Sequence, residues 1–207
     1  MSAEFYTAAI PEPVAILGVR LRPFSLGHVL LLNRFGNAFG AGGTSPAIED
    51  LIQAIVICSQ KYADALAEMD NPKLPEIVAA WQRKLAPRNR LGFRVAGLGF
   101  SPAVEILRFA EYVCAGSSFP LFTVKESHQG EAMGVPMVQS VKVLLQSKMG
   151  FSEAEVLDRP WGLCLWDYFT LNAMEGHCKI MDRDEYQSAR ANADKNHDRL
   201  VALMGKN

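Results

Sequence analysis

Apolar residues recur at three- and four-residue spacing along most of this chain, and the interruptions carry helix start and stop chemistry. Ser25 is placed to cap a helix through LGHVLLLNRF, whose apolar run ends at Gly36. Gly36, Gly40, Gly42 and Gly43 then make a glycine-rich connection, without the G-K-[ST] that a phosphate loop requires. Ser45, with Pro46 at the first helical position, opens the longest stripe: Ile48, Leu51, Ile52, Ile55, Tyr62, Ala65, Leu66 and Met69. It predicts one helix of about six turns that stops at Asp70-Asn71-Pro72. Leu74, Ile77, Val78, Trp81 and Leu85 mark the next helix, closed by Pro87. Ser101-Pro102 repeats the start signal, and Val104, Leu107, Ala110, Val113 and Cys114 are the apolar face expected before Gly116.

Helical spacing resumes at Pro136 with Val138, Val141, Leu144, Leu145 and Met149. Ser152 and Glu155 then have the S-x-x-E spacing of a capping box, flanked by Phe151 and Val156 as a hydrophobic staple. Beyond Pro160, Trp161, Cys164, Leu165, Tyr168 and Leu171 share one side of a helix that ends at Gly176. From Asp182 onward charge dominates, although Tyr186, Ala189, Ala193, Leu200, Leu203 and Met204 keep a weak stripe. At the other end, residues 14–22 alternate Val19 and Leu21 with Arg20 and Arg22, which suits a short strand or extended arm. The fold class is therefore all-α, about seven helices, with room for a short N-terminal β-hairpin or extended arm. The long polar stretch carrying Ser117, Ser118, Gly130 and Gly134 suggests a flexible connection at 117–135, between a helical subdomain at 1–116 and another at 136–207. Residues 88–100, which mix glycine, apolar and basic side chains, fit neither helix nor strand by pattern.

Composition narrows the function classes. With 207 residues and 49% hydrophobic side chains, the chain can bury a real core. Lys plus Arg total 21 against 22 for Asp plus Glu, so the net charge of -1 supplies no overall field for nucleic acid or an anionic membrane. MSAEFYTAAIPEP lacks a basic region followed by an apolar core, and no apolar run approaches the roughly 18 residues of a membrane span. Cys58, Cys114, Cys164 and Cys178 are widely spaced without a C-x-x-C pair, and the first three fall within apolar helical patterns as small hydrophobes. A reducing cytoplasm is the compartment expected.

Candidate chemistry is sparse. His28, His128, His177 and His197 do not cluster, and His177-Cys178 with Cys164 lacks the ligand spacing of a metal site, so no metal and no cofactor are expected. There is no G-x-S-x-G elbow, and no catalytic residue can be named. Acidic pairs such as Glu49-Asp50 sit at helix starts, where they favour the dipole. Arg83, Lys84, Arg88, Arg90 and Arg94 could meet phosphate beside Trp81 and Phe93, but a solvated helix end explains them better at neutral net charge. The aromatic side chains of the last strong helix remain. Trp161 and Trp166 are five positions apart and cannot share a face, so Trp161, Trp166, Tyr168 and Phe169 ring the helix beyond what one core stripe hides. These four are the expected partner-binding residues, with burial of both tryptophans between two helix layers as the equal alternative.

Read together, LRPFSLGHVLLLNRFGNAF, SPAIEDLIQAIVICSQKY and VQSVKVLLQSKMGFSEAEVLDRPWGLCLWDYFTLNAMEG resemble the tail assembly chaperone-like proteins of tailed bacteriophages and prophages. The most suggestive pieces are Pro23-Phe24-Ser25-Leu26-Gly27-His28 before a leucine run, and Gly150-Phe151-Ser152 followed by Glu155 and Pro160. The resemblance implies a non-enzymatic protein of the host cytoplasm that binds the tape-measure protein or tail-tube subunits, with self-association left open. This chain is longer than small members of that family and adds the glycine-rich segment 91–100. A small enzyme whose pocket is assembled from distant residues is the alternative from another class, and a cleft joining His28, His177 and acidic groups would favour it.

Overall fold

A computed structural model describes residues 3–41, 45–85, 101–124, 134–188 and 191, with the backbone alone described at 3, 4, 7, 41 and 81–85. Helices dominate these residues: α1 (Ala3–Ala9), α2 (Leu26–Arg34), α3 (Ala38–Ala41), α4 (Ile48–Cys58), α5 (Tyr62–Met69), α6 (Leu74–Leu85), α7 (Pro102–Gly116), α8 (Met137–Met149), α9 (Glu153–Asp158) and α10 (Trp161–Met174). The all-α expectation holds, with more and shorter helices than the periodicity suggested. Two small antiparallel ribbons accompany them. One pairs β1 (Ala15–Ile16) with β2 (Val19–Arg20), so that of the two forms left open near the start of the chain it is the hairpin and not the extended arm. The other pairs β3 (Phe122–Val124) with β4 (Cys178–Ile180) and was not anticipated. Segment 88–100, most of the 117–135 connection, the basic group from Arg83 to Arg94 and the tail stripe beyond Ser188 lie outside the residues whose side chains are described.

Helix boundaries follow local chemistry where caps exist. Ser152 Oγ accepts from Glu155 N while a Glu155 carboxylate oxygen accepts from Ser152 N at 2.8 Å, the reciprocal box read from the sequence. Asp50, not Ser45, caps α4: its Oδ2 accepts from Ala47 N at 2.8 Å, and the helix starts two residues after Pro46. The expected single helix from Ile48 to Met69 is two, separated at Ser59-Gln60-Lys61, where the sequence has neither glycine nor proline. Its break is tertiary in origin. Arg22 N donates to Cys58 O at 2.9 Å, His28 Nε2 reaches Gln60 O at 2.9 Å, and Asp158 Oδ1 accepts from Tyr62 N at 2.9 Å. Partners up to 96 positions away in sequence thus take the groups that would otherwise continue the helix.

In α7 the buried face differs from the expected one. Val104 and Leu107 are 52% and 61% exposed, and Cys114 is exposed, whereas Glu105, Phe109 and Tyr112 are buried. The helix is rotated because Glu105 has a structural task. Its Oε2 accepts from Leu17 N at 3.1 Å, and its Oε1 accepts from Arg108, whose other nitrogen reaches Ala15 O at 3.2 Å. Leu17 and Gly18 form the two-residue turn of the β1–β2 hairpin with φ of 51° and 77°, as a type I′ turn requires. A leucine there costs about 1–2 kcal/mol, which its burial and the carboxylate bond offset.

Among the described residues the core is continuous. Leu26, Leu31, Leu51, Ile55, Phe109, Val141, Leu145, Val156 and Leu165 belong to one buried cluster, so residues on both sides of 117–135 share it and the connection does not divide the core. At its centre Phe39, Phe109, Tyr112 and Phe24 run ring to ring at centroid distances of 4.6, 5.3 and 5.6 Å.

Candidate protein-interaction surface

Two segments that are remote in sequence meet at the starts of α2 and α10. Leu26 N donates to Arg159 O at 3.1 Å and Trp161 N to Phe24 O at 2.7 Å, an antiparallel bridge between Ser25 and Pro160. Each helix start thereby satisfies a backbone group of the other. Gly27 is required by this approach: a Cβ there would lie 2.7 Å from Leu157 O and 2.7 Å from Tyr62 Cδ2. Gly27→Ala is therefore expected to cost about 1–3 kcal/mol despite alanine's better helix propensity, read as a lowered urea midpoint. A midpoint equal to or above that of the parent chain would show that the two helix starts can separate freely.

His28 closes the same junction. Its Nδ1 accepts from Ser25 N at 3.1 Å while Ser25 Oγ accepts from His28 N at 3.2 Å, so histidine takes the place glutamate usually holds in a capping box. Since Nδ1 accepts, Nε2 carries the proton and donates to Gln60 O. Burial pushes the imidazole pKa down to about 4, with the Gln60 carbonyl opposing and Arg22 adding to the shift. Both nitrogens are occupied and the ring is neutral, which leaves no lone pair for a metal or a substrate. His177 sits elsewhere, beside Glu175 after α10, and lines a cleft in which His28 takes no part.

The thiols divide similarly. Cys58, Cys164 and Cys178 are buried and Cys114 is exposed, so Cys114 does not join the apolar face expected of it. Burial raises the Cys58 pKa and pushes that of Cys164 up to about 12, so both stay protonated and unreactive. Among the described residues no group of three His, Cys, Asp or Glu side chains could hold a metal ion, and no helix is long and apolar enough to cross a membrane.

The four expected partner-binding rings separate into two environments. Trp161 and Phe169 are each 7% exposed and belong to the core, which corrects the expectation that they are displayed to a partner. Both face inward because α10 packs on α2, α7, α8 and α1, more neighbours than a single apolar stripe would serve. Trp166 is half-buried under α1, with Phe5 edge-on at 5.4 Å, and Tyr168 is half-buried beside the β3–β4 ribbon, where it lines the same cleft as Val124.

An aromatic cleft opens where the end of α10 meets that ribbon. Phe122, Val124, Tyr168, Phe169, Asn172, His177 and Cys178 enclose about 250 Å³. Phe169 packs against Phe122 at 4.1 Å and against Phe119 at 6.0 Å, and Tyr168 meets Phe169 edge-on at 5.3 Å. Phe119 and Val124 remain 50% and 60% exposed at this place, while Met174 is 79% exposed at the end of α10. Tyr168 and Phe169 were legible in sequence; Phe119, Phe122 and Val124 were not, because they lie in a stretch that reads as polar connection. Their signal was the short F-T-V run, whose partner C-K-I is more than fifty positions away. Comparison of the chain with protein-family models, with curated proteins and with solved structures finds no match in any of the three.

Proposed function

We propose that the protein is a non-enzymatic assembly factor of the phage tail chaperone type, and that it holds a tape-measure or tail-tube protein through the aromatic cleft between α10 and the β3–β4 ribbon. The observation that carries this reading is the cleft's composition: exposed Phe119 and Val124 border Tyr168, Phe122 and Phe169, a surface suited to an apolar anchor from a protein. The likeness to that family of P-F-S-L-G-H and of Gly150-Phe151-Ser152 followed by Glu155 and Pro160 supports it too, since Ser25 and Pro160 of these pieces meet at the junction of α2 with α10. Its place in the bacterial cytoplasm belongs to the same proposal. A neutral, doubly bonded His28 and protonated Cys58 and Cys164 favour it over a hydrolytic or transfer enzyme.

On this reading a tape-measure and a tail-tube gene lie beside its own, and co-expression of the chain with their products tests it. One of them should be captured, and Val124→Glu, placed at an exposed position, should weaken capture by about tenfold or more while the melting temperature stays within a few degrees. Capture of neither protein, or capture that Val124→Glu leaves unchanged, would refute it.

A further inference from the structure

A cavity of about 360 Å³ opens on the hairpin side of α7. That volume lies within the range of sites that hold a small molecule or a long side chain. Its floor is apolar and already assembled: Phe24 and Tyr112 meet edge-on at 5.6 Å, Trp161 N donates to Phe24 O at 2.7 Å, and the Tyr112 hydroxyl donates to Arg22 O at 2.8 Å. Gly116, at the end of α7, is needed for the close approach to this floor, since a Cβ there would stand 2.5 Å from that of Phe24. One wall is the segment Pro11-Glu12-Pro13, in which each proline fixes its own φ and Pro13 holds Glu12 extended.

The unmatched charges around this floor have one sign. Glu12 on the linker and Glu111 on α7 both line the cavity, and among the described residues neither has an ion pair or a hydrogen bond. Arg108 lines it too, but its guanidinium is held by Glu105 Oε1 at 3.0 Å and by Ala15 O at 3.2 Å, and the Arg108–Glu105 pair carries no net charge. Arg20 and Arg22, beside the hairpin, do not line it. The last turn of α7 borders the cavity through Ala115 and Gly116, and it contains no basic residue to balance the partial negative charge of a helix C-terminus. Two carboxylates near such a helix end favour a cation between them.

We propose that this cavity receives an arginine side chain of a protein partner, with its methylene stem on the floor of Phe24 and Tyr112 and its guanidinium between Glu12 and Glu111. The apolar floor suits the stem, which buries readily while the charged head stays at the rim. The planar guanidinium carries five donors in a fork and serves two carboxylates together, which a compact ammonium does less well. Exposed Pro13, Pro23 and Ala115 border the cavity and give the residues flanking that arginine an apolar seat. The cavity and the β3–β4 cleft share no residue, so the proposal stands or falls apart from the tail-assembly reading.

Titration of the full chain with acetyl-arginine methylamide, followed through backbone amide resonances, tests it. The amides of Val14, Ala115 and Gly116 should shift and saturate at millimolar probe. Affinity should fall about fivefold or more in the Glu12→Gln, Glu111→Gln double variant, whose melting temperature should stay within a few degrees because both side chains are exposed. Acetyl-norleucine methylamide, which keeps the stem without the charge, should bind more weakly by a similar factor. No shift at these amides, equal binding of the norleucine probe, or an affinity unchanged in the double variant would overturn the proposal. Acetyl-glutamate methylamide tests the opposite sign: binding as tight as that of the arginine probe would mean that Arg108 sets the specificity, and the proposal fails. Butylguanidine that binds about tenfold or more tighter than acetyl-arginine methylamide would make the occupant a free small molecule and overturn the assignment to a protein side chain. Should the double variant fail to fold, Glu12→Gln and Glu111→Gln singly serve with the same readout, and an affinity unchanged in both refutes it.

Discussion

Lowering the pH from 6.5 to 4 is expected to remove about 3 kcal/mol of folding stability through His28 alone. The folded imidazole titrates near 4 against 6.5 for the free side chain, so between these values the unfolded chain binds a proton that the folded one refuses. Stability from this group is complete above 6.5, falls as the pH drops, and levels off below 4. The cause is structural: protonation would put a charge in a site that is 1% exposed and would cost Ser25 N the acceptor it finds in Nδ1. Nearby Asp158 offsets part of that cost and Arg22 adds to it, and neither outweighs burial. Urea midpoints at pH 7 and pH 4.5 check this directly. His28→Gln should start lower at pH 7, since a buried backbone donor and acceptor lose well-placed partners, and should lose less between the two pH values. A parent chain whose midpoint is flat over that range would mean that the ring is solvated.

Phe109→Ala is expected to cost about 3–5 kcal/mol, which is a large share of the stability of a domain this size. Phe109 is fully buried and lies between Phe39 and Tyr112, so its loss opens a cavity that neither ring can fill without leaving the other. Tyr112 is further pinned by the bond from its hydroxyl to Arg22 O at 2.8 Å, which limits collapse into the space. The hairpin, α2 and α4 all pack around these rings, so the lowered midpoint should come with an unchanged denaturant slope, the sign of one cooperative unit. A cost under 1 kcal/mol would show that the aromatic row is not the centre of the core.

Both effects concern residues whose roles differ in how far the sequence reveals them. Ser152-Glu155 and Ser101-Pro102 are local signals: a cap hydroxyl and a fixed φ act within four residues, and the observed helix starts follow them closely. The four rings of α10 were conspicuous for the same reason, but their exposure was not, because burial depends on how many neighbours a helix has. Trp161 and Phe169 go inward where α2, α7 and α8 surround them. In α7 the polar class of Glu105 pointed the periodicity at the wrong face, since counting apolar positions cannot register a carboxylate that is buried to serve Leu17 N.

What the sequence by itself determined is the helical class, most helix boundaries, an extended segment near residues 14–22 and the want of any local catalytic or metal-binding signature, because each follows from contacts between residues a few positions apart. What only the tertiary structure decided is the break at Ser59-Gln60-Lys61, the rotation of α7, the β3–β4 ribbon with its aromatic cleft, and the state of His28. Each of these depends on a partner brought in from far along the chain: Arg22 and Asp158 at the break, Leu17 for Glu105, Cys178–Ile180 for Phe122–Val124, and Gln60 for the histidine. A hydrogen bond between distant segments leaves no period in the sequence, and the pairing exists only once the core has closed around it.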